Sequence, residues 1–160
     1  MTIAPRPTAD ICDDHDDAAI LTTDFRSYGG RSDMAGTVVT VKAHEDNSLV
    51  KHAVAEPGEG RVLVVDGGGS MRRSMVGGNV AAEAAANGWA GFVVYAAVRD
   101  TVELAGTDIG LFALGTVPRK TEKHGVGQRD IPVTFGGVTI NPGDHLYADA
   151  DGIVIVPTSV

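Results

Sequence analysis

Uninterrupted apolar runs and alternating runs divide this chain into segments. Arg61–Asp66 encloses four consecutive apolar residues, and Gly91–Tyr95 is polar only at its last ring. Runs of this kind predict strands buried on both faces, as in the parallel sheet of an α/β domain. Gly36–Ala43 alternates and is rich in β-branched residues, which predicts another strand, and Ile109–Leu114 predicts a further one. Helices are expected between them. One runs from Ala9 to about Ala19, with Thr8 as its N-cap. Another is capped by Asp46 or Asn47 and reaches about Ala55. The alanine-rich segment Val80–Asn87 is helical and stops at Gly88. Thr101–Ala105 suits a short helix, and Asp24–Arg31 reads as a loop.

The pattern changes after about Gly125. Ile131–Phe135 and Val138–Ile140 flank Gly136-Gly137, and a two-glycine turn between alternating strands predicts a hairpin. His145–Tyr147 and Ile153–Val156 predict more short strands. The expected fold class is α/β, with buried central strands followed by C-terminal antiparallel β hairpins. One domain is expected over residues 1–160.

Composition narrows the function classes. A chain of 160 residues can bury a core without staples. The net charge of −8 argues against direct nucleic-acid binding, which needs a basic face. Arg72, Arg73, Arg99, Arg119 and Lys120 can still gather around an anion. Cys12 is the single cysteine, so no intramolecular disulfide forms, and its acidic neighbours disfavour a thiolate. The N-terminus lacks the apolar core of a signal peptide. The longest apolar run, Ala90–Val98, is far short of the roughly 20 residues a membrane helix needs. A cytoplasmic protein with no membrane partner is expected.

Two motifs bear on chemistry. Asp66-Gly67-Gly68-Gly69 follows a strand but lacks the rest of a dinucleotide fingerprint, and this disfavours a nucleotide or methyltransferase site. Arg99-Asp100 emerges from a wholly apolar strand, at the carboxyl edge where α/β ligand sites collect. Arginine offers a planar fork for a carboxylate, and aspartate a hard oxygen for Mg²⁺ or Mn²⁺. Glu103 lies three residues on, on the same helical face as Asp100. The five histidines form no zinc pattern, and no G-x-S-x-G element is present. The upstream Gly77-Gly78-Asn79-Val80 can present backbone N–H groups to the same point.

These residues resemble a known family. Asp66–Ser70, Gly77–Asn79, Asn87–Gly91, Ala97–Asp100, Phe135–Val138, His145–Asp149 and Asp151–Ile153 are similar to the regulator of ribonuclease activity A (RraA-like) family. That family is itself similar to the class II 4-hydroxy-4-methyl-2-oxoglutarate aldolases. The resemblance runs from about Thr8 to Val156 and includes Gly78, twenty residues, then Arg99-Asp100-x-x-Glu103. It implies a swivelling β/β/α domain, a homotrimer, a divalent metal (Mg²⁺ or Mn²⁺) and a small 2-oxo acid substrate. By position, it implies that Asp100 binds the metal and Glu103 holds metal-bound water. Arg99 binds the substrate's carboxylate or keto oxygen, and Gly77, Gly78, Asn79 and Val80 complete the cradle. Arg99 and Asp100 are the implied catalytic residues. The implied activity is retro-aldol cleavage of 4-hydroxy-4-methyl-2-oxoglutarate, oxaloacetate decarboxylation, or both. The alternative is a protein-binding inhibitor of an RNA-degrading endonuclease. Aldolases similar to this family often carry an acidic residue where this chain has Gly78, and decarboxylation, with its lighter proton handling, is the reaction less affected by that departure.

Overall fold

The computed structural model describes residues 2–158. Its first elements are α1 (Thr8–Asp14), β1 (Ala19–Ile20), β2 (Arg26–Ser27), β3 (Met34–Lys42) and α2 (Ser48–Val54). Next come β4 (Val62–Asp66), β5 (Ser74–Val76), α3 (Gly78–Ala86), β6 (Gly91–Val98), α4 (Thr101–Ala105) and β7 (Gly110–Thr116). The chain continues through β8 (Gln128–Arg129), β9 (Val133–Phe135), β10 (Val138–Ile140), β11 (His145–Asp149) and β12 (Gly152–Val156).

The apolar runs form the centre. β3, β4, β6 and β7 are neighbours and run parallel, and every residue of β4 is buried. β5 adds to the carboxyl end of β6, also in parallel. A parallel sheet needs cover on both faces. Val39, Val41, Leu63, Val65, Phe92 and Val94 pack with Val50, Val54, Val80 and Ala84 of α2 and α3. The alternate residues Val38, Val62, Val64 and Val93 pack with Val133, Phe135, Ile140, Leu146 and Ile155 from the C-terminal strands. The outcome is a β/β/α layering, as the resemblance implies. β3 joins the two β layers: Met34–Thr37 pairs antiparallel with β11, and Val38–Lys42 pairs parallel with β4. Gly136 and Gly137 turn the β9–β10 hairpin with φ of 59° and 77°, the left-handed pair that a type I′ turn requires.

The N-terminal helix departs from its pattern. It ends at Asp14, and its N-cap is Pro7 rather than Thr8. Thr8 is buried, and its N–H and Oγ1 donate to Asp149 at 2.8 and 2.7 Å. A distant carboxylate has claimed the hydroxyl that a local cap would use. Ala19–Ile20, expected at the helix end, instead pairs with β12. The loop expected over Asp24–Arg31 contains β2, which pairs with β7. β6 and β7 run further than their patterns, to Val98 and Thr116. No helix among the described residues is long and apolar enough to cross a membrane.

Candidate functional site

Segments that follow the carboxyl ends of the parallel strands meet at one edge of the sheet. Asn47 and Lys51 come after β3, Gly77–Val80 after β5, Arg99 and Asp100 after β6, and Lys120 and Lys123 after β7. They line a cleft of about 110 Å³.

Asp100 has an unusual backbone, with φ 63° and ψ 48°. This left-handed conformation costs a non-glycine residue about 1 kcal/mol, least for Asn and Asp. It reverses the chain from β6 into α4 within two residues. Two contacts hold it: Asp100 Oδ2 accepts the Gly78 N–H at 2.9 Å, and the Asp100 carbonyl accepts the Leu104 N–H at 2.9 Å. Arg99 donates from Nη1 to the Pro118 carbonyl at 3.2 Å, and its Nε lies 3.9 Å from Asp100 Oδ2. That single hydrogen bond leaves most of the guanidinium donors free for a ligand.

The two glycines permit this proximity. A Cβ on Gly77 would stand 2.9 Å from Asp100 Oδ2 and 3.4 Å from Arg99 Nε. A Cβ on Gly78 would stand 1.9 Å from Glu103 Oε2, so the Glu103 carboxylate occupies the space of the missing side chain. Gly78 opens α3, whose first-turn N–H groups have no intrahelical acceptor. Gly78 spends its own on Asp100, and those of Asn79 and Val80 remain at the positive end of the helix dipole.

The opposite wall is a loop fastened at several points. Ser74 N–H donates to the Arg119 carbonyl at 2.7 Å, and Arg73 Nη1 donates to the Lys120 carbonyl at 3.1 Å. Thr121, 2% exposed, donates to Asn47 Oδ1 at 2.9 Å. Asp46, 1% exposed, accepts from the Ser48 N–H and Oγ and from the His124 and Val126 N–H groups. Burial pushes the Asp46 pKa up, but these donors outweigh it and hold it at about 2. Its folded pKa is below the unfolded one, near 3.9. The stabilisation is therefore complete above about pH 4 and lost as pH falls through about 2. Asp46→Ala is expected to cost roughly 2–3 kcal/mol at pH 7, read as a lower urea midpoint, with the deficit shrinking as pH approaches 2.

The structure thus gathers Gly77, Gly78, Asn79, Val80, Arg99 and Asp100 around one cleft. Glu103 stands over Gly78, outside the cleft lining. No group of three or more His, Cys, Asp or Glu side chains suited to a metal occurs among the described residues. The donors present fit a hard cation that keeps most of its water, since Mg²⁺ commonly binds through one or two carboxylates. Of the arginines and lysine expected to gather, Arg99 and Lys120 line the cleft. Arg72, Arg73 and Arg119 surround a neighbouring depression, where Arg72 pairs with Glu45. Lys51 and Lys123 were not legible as site residues, because isolated lysines carry no pattern. After Gly67–Gly69 the chain enters β5 rather than a helix, so the phosphate-binding helix of a dinucleotide fold does not form there.

Comparison with known proteins settles the family. The model of the RraA-like family, described as Aldolase/RraA, matches residues 8–155. The chain belongs to the Aldolase/RraA family. It is 56% identical over 155 residues to an Alkalilimnicola ehrlichii protein named "Putative 4-hydroxy-4-methyl-2-oxoglutarate aldolase", covering 96% of each chain. Its fold is similar to a Thermus thermophilis structure described as the RNA-processing inhibitor RraA, with TM-score 0.93, 44% identity and 98% of each chain covered. It is also similar to a Geobacillus kaustophilus structure described as an S-adenosylmethionine:2-dimethylmenaquinone methyltransferase, with TM-score 0.94, 41% identity and 97% of each chain covered.

Proposed function

We propose that the cleft is the active site of a divalent-metal-dependent lyase working through a pyruvate enolate. Its reactions are retro-aldol cleavage of 4-hydroxy-4-methyl-2-oxoglutarate to two pyruvates and decarboxylation of oxaloacetate. The observation that carries this reading is Asp100, held in a left-handed conformation at the carboxyl edge with its carboxylate locked to Gly78 and Arg99 alongside. Strain of this kind collects at functional sites. The name of the Alkalilimnicola relative supports the aldolase assignment.

Asp100, with Glu103, would hold Mg²⁺ or Mn²⁺, which supplies Lewis-acid polarisation of a 2-oxo acid. Arg99 binds the carboxylate or keto oxygen through its fork. In the aldol reaction the C3–C4 bond breaks and its electron pair moves toward C2, forming the enolate. The C4 hydroxyl loses its proton to solvent water, Gly78 offering no acidic side chain to take it, and becomes the keto group of the second pyruvate. In decarboxylation the same bond breaks and CO2 leaves. Negative charge grows on the C2 oxygen in both, and Arg99 with the free N–H groups of α3 stabilises it. A proton returned to C3 completes pyruvate.

The test is turnover of both substrates with Mg²⁺ or Mn²⁺ in wild type and Asp100→Asn. Asparagine tolerates the left-handed backbone and can still accept from Gly78, so the fold should survive. Turnover is expected to fall about 100-fold or more. Equal rates in the two proteins, or full rates in excess chelator, contradict the reading.

A second reading is favoured by the Thermus relative, described as an RNA-processing inhibitor. In it this chain, as a homotrimer, binds an RNA-degrading endonuclease through its surface. Arg99→Met and Asp100→Asn would then leave that association intact while abolishing lyase turnover.

A further inference from the structure

Four cations and one carboxylate line the cleft: Lys51, Lys120, Lys123 and Arg99 against Asp100. This is the reverse of the whole chain, which has 21 acidic residues against 13 lysines and arginines. Among the described residues, none of the three lysines makes an ion pair. Burial and the neighbouring Lys51, Lys120 and Arg99 push the Lys123 amine below its usual range, and Asp46 is the opposing charge. Asp100 lies beside Arg99, and no ion pair opposes the three lysines, so positive charge is in excess in the cleft.

The fold fixes the backbone that carries these lysines. The loop bearing Lys120 and Lys123 is fixed on one side by Ser74 and Arg73 and on the other by Asp46, with Thr121 tied to Asn47 between them. Asn47 immediately precedes α2, which carries Lys51, so the same contacts set the two lysine-bearing segments relative to each other. A mobile surface would let like charges separate. Here backbone bonds keep the chain positions of the three exposed lysines around one cleft, and an anion there relieves their like charge.

We propose that Lys51, Lys120 and Lys123 form a second anion subsite, which takes the far carboxylate of a 2-oxo dicarboxylate whose 2-oxo end lies at Arg99 and Asp100. The identity of this ligand rests on the lyase reading. The wall then selects dicarboxylates over monocarboxylates such as pyruvate, and it lets the cleaved product leave once its second charge is gone. It also separates the two reactions. The far carboxylate keeps its charge through retro-aldol cleavage, so the lysines stabilise ground and transition states alike. In decarboxylation that charge leaves the carboxylate, and a firm grip on it opposes the step.

The test is equilibrium binding, in Mg²⁺, of pyruvate and of 2-oxoglutarate, which lacks the 4-hydroxyl and cannot undergo the cleavage. Wild type is expected to bind 2-oxoglutarate at least about tenfold more tightly than pyruvate, one such step being about 1.4 kcal/mol. In Lys51→Met and Lys123→Met the two affinities are expected to converge, through loss of 2-oxoglutarate binding alone. Unchanged pyruvate binding shows that the variants are folded, and Arg99→Met should weaken both ligands. Equal affinities in wild type overturn the proposal. So does tighter pyruvate binding in the presence of inorganic phosphate, which would give the wall to a separate anion. Because no turnover is read, an inactive protein with the expected binding pattern overturns the lyase reading and leaves the subsite standing.

Discussion

Replacing Arg99 with methionine is expected to lower kcat/KM for oxaloacetate and for 4-hydroxy-4-methyl-2-oxoglutarate by about 10²–10³-fold, with the fold intact. Removal of one donor aimed at a developing oxyanion has this size in other enzymes. The side chain suits a separation of function from stability. It is 37% exposed and has one hydrogen-bond partner, the Pro118 carbonyl. Its loss should change the unfolding free energy by less than about 1 kcal/mol. Methionine keeps the length and apolar stem, so the change isolates the guanidinium. Lysine is expected to rescue little, because a point charge does not reproduce a planar fork. Steady-state kinetics beside urea unfolding checks both halves. A tenfold or smaller loss would remove Arg99 from the reacting atoms.

Gly91→Ala is expected to destabilise the protein by more than about 3 kcal/mol, a large share of a domain's stability. Gly91 and Gly110 are paired in register on β6 and β7. Together they open a slot that Met34, 2% exposed, fills with its thioether. A Cβ on Gly91 would lie 2.3 Å from the Gly110 carbonyl oxygen and 2.4 Å from Met34 Sδ. The sulfur can move, but the carbonyl belongs to the sheet. Met34→Ala in the same chain is therefore expected to restore only part of the loss. Urea midpoints of wild type and the two variants check this, and a Gly91→Ala stability within about 1 kcal/mol of wild type contradicts it. The site depends on this packing, since β6 is the strand that delivers Arg99 and Asp100.

The parts of the fold that were legible share a physical cause. β4 and β6 are covered on both faces, so their sequences are continuously apolar and announce themselves. Gly136-Gly137 encodes its turn directly, because both positions need positive φ. The short strands β1, β2, β5 and β8 are set by partners far along the chain, and two or three residues carry no period. Thr8 illustrates the same limit: its acceptor, Asp149, lies 141 residues away. At the site, Gly77–Val80 and Arg99-Asp100 were legible because glycine runs and a charged pair after an apolar strand are unusual. The lysine wall was not, since Lys51 and Lys123 are brought to the cleft by tertiary contacts of Asp46, Asn47, Arg73 and Ser74. The left-handed backbone of Asp100 was also hidden, because aspartate does not announce it as glycine does.

The central claim is that this cleft forms a pyruvate enolate, and exchange of the pyruvate methyl protons in D2O tests it most directly. Enolate formation and reprotonation replace those protons with deuterium, which proton NMR follows with no cleavage or cosubstrate required. With Mg²⁺, wild type is expected to exchange them well above the protein-free rate, and Asp100→Asn, Arg99→Met or excess chelator should return the rate to that background. Exchange absent in wild type, or equally fast in Asp100→Asn, would contradict the account.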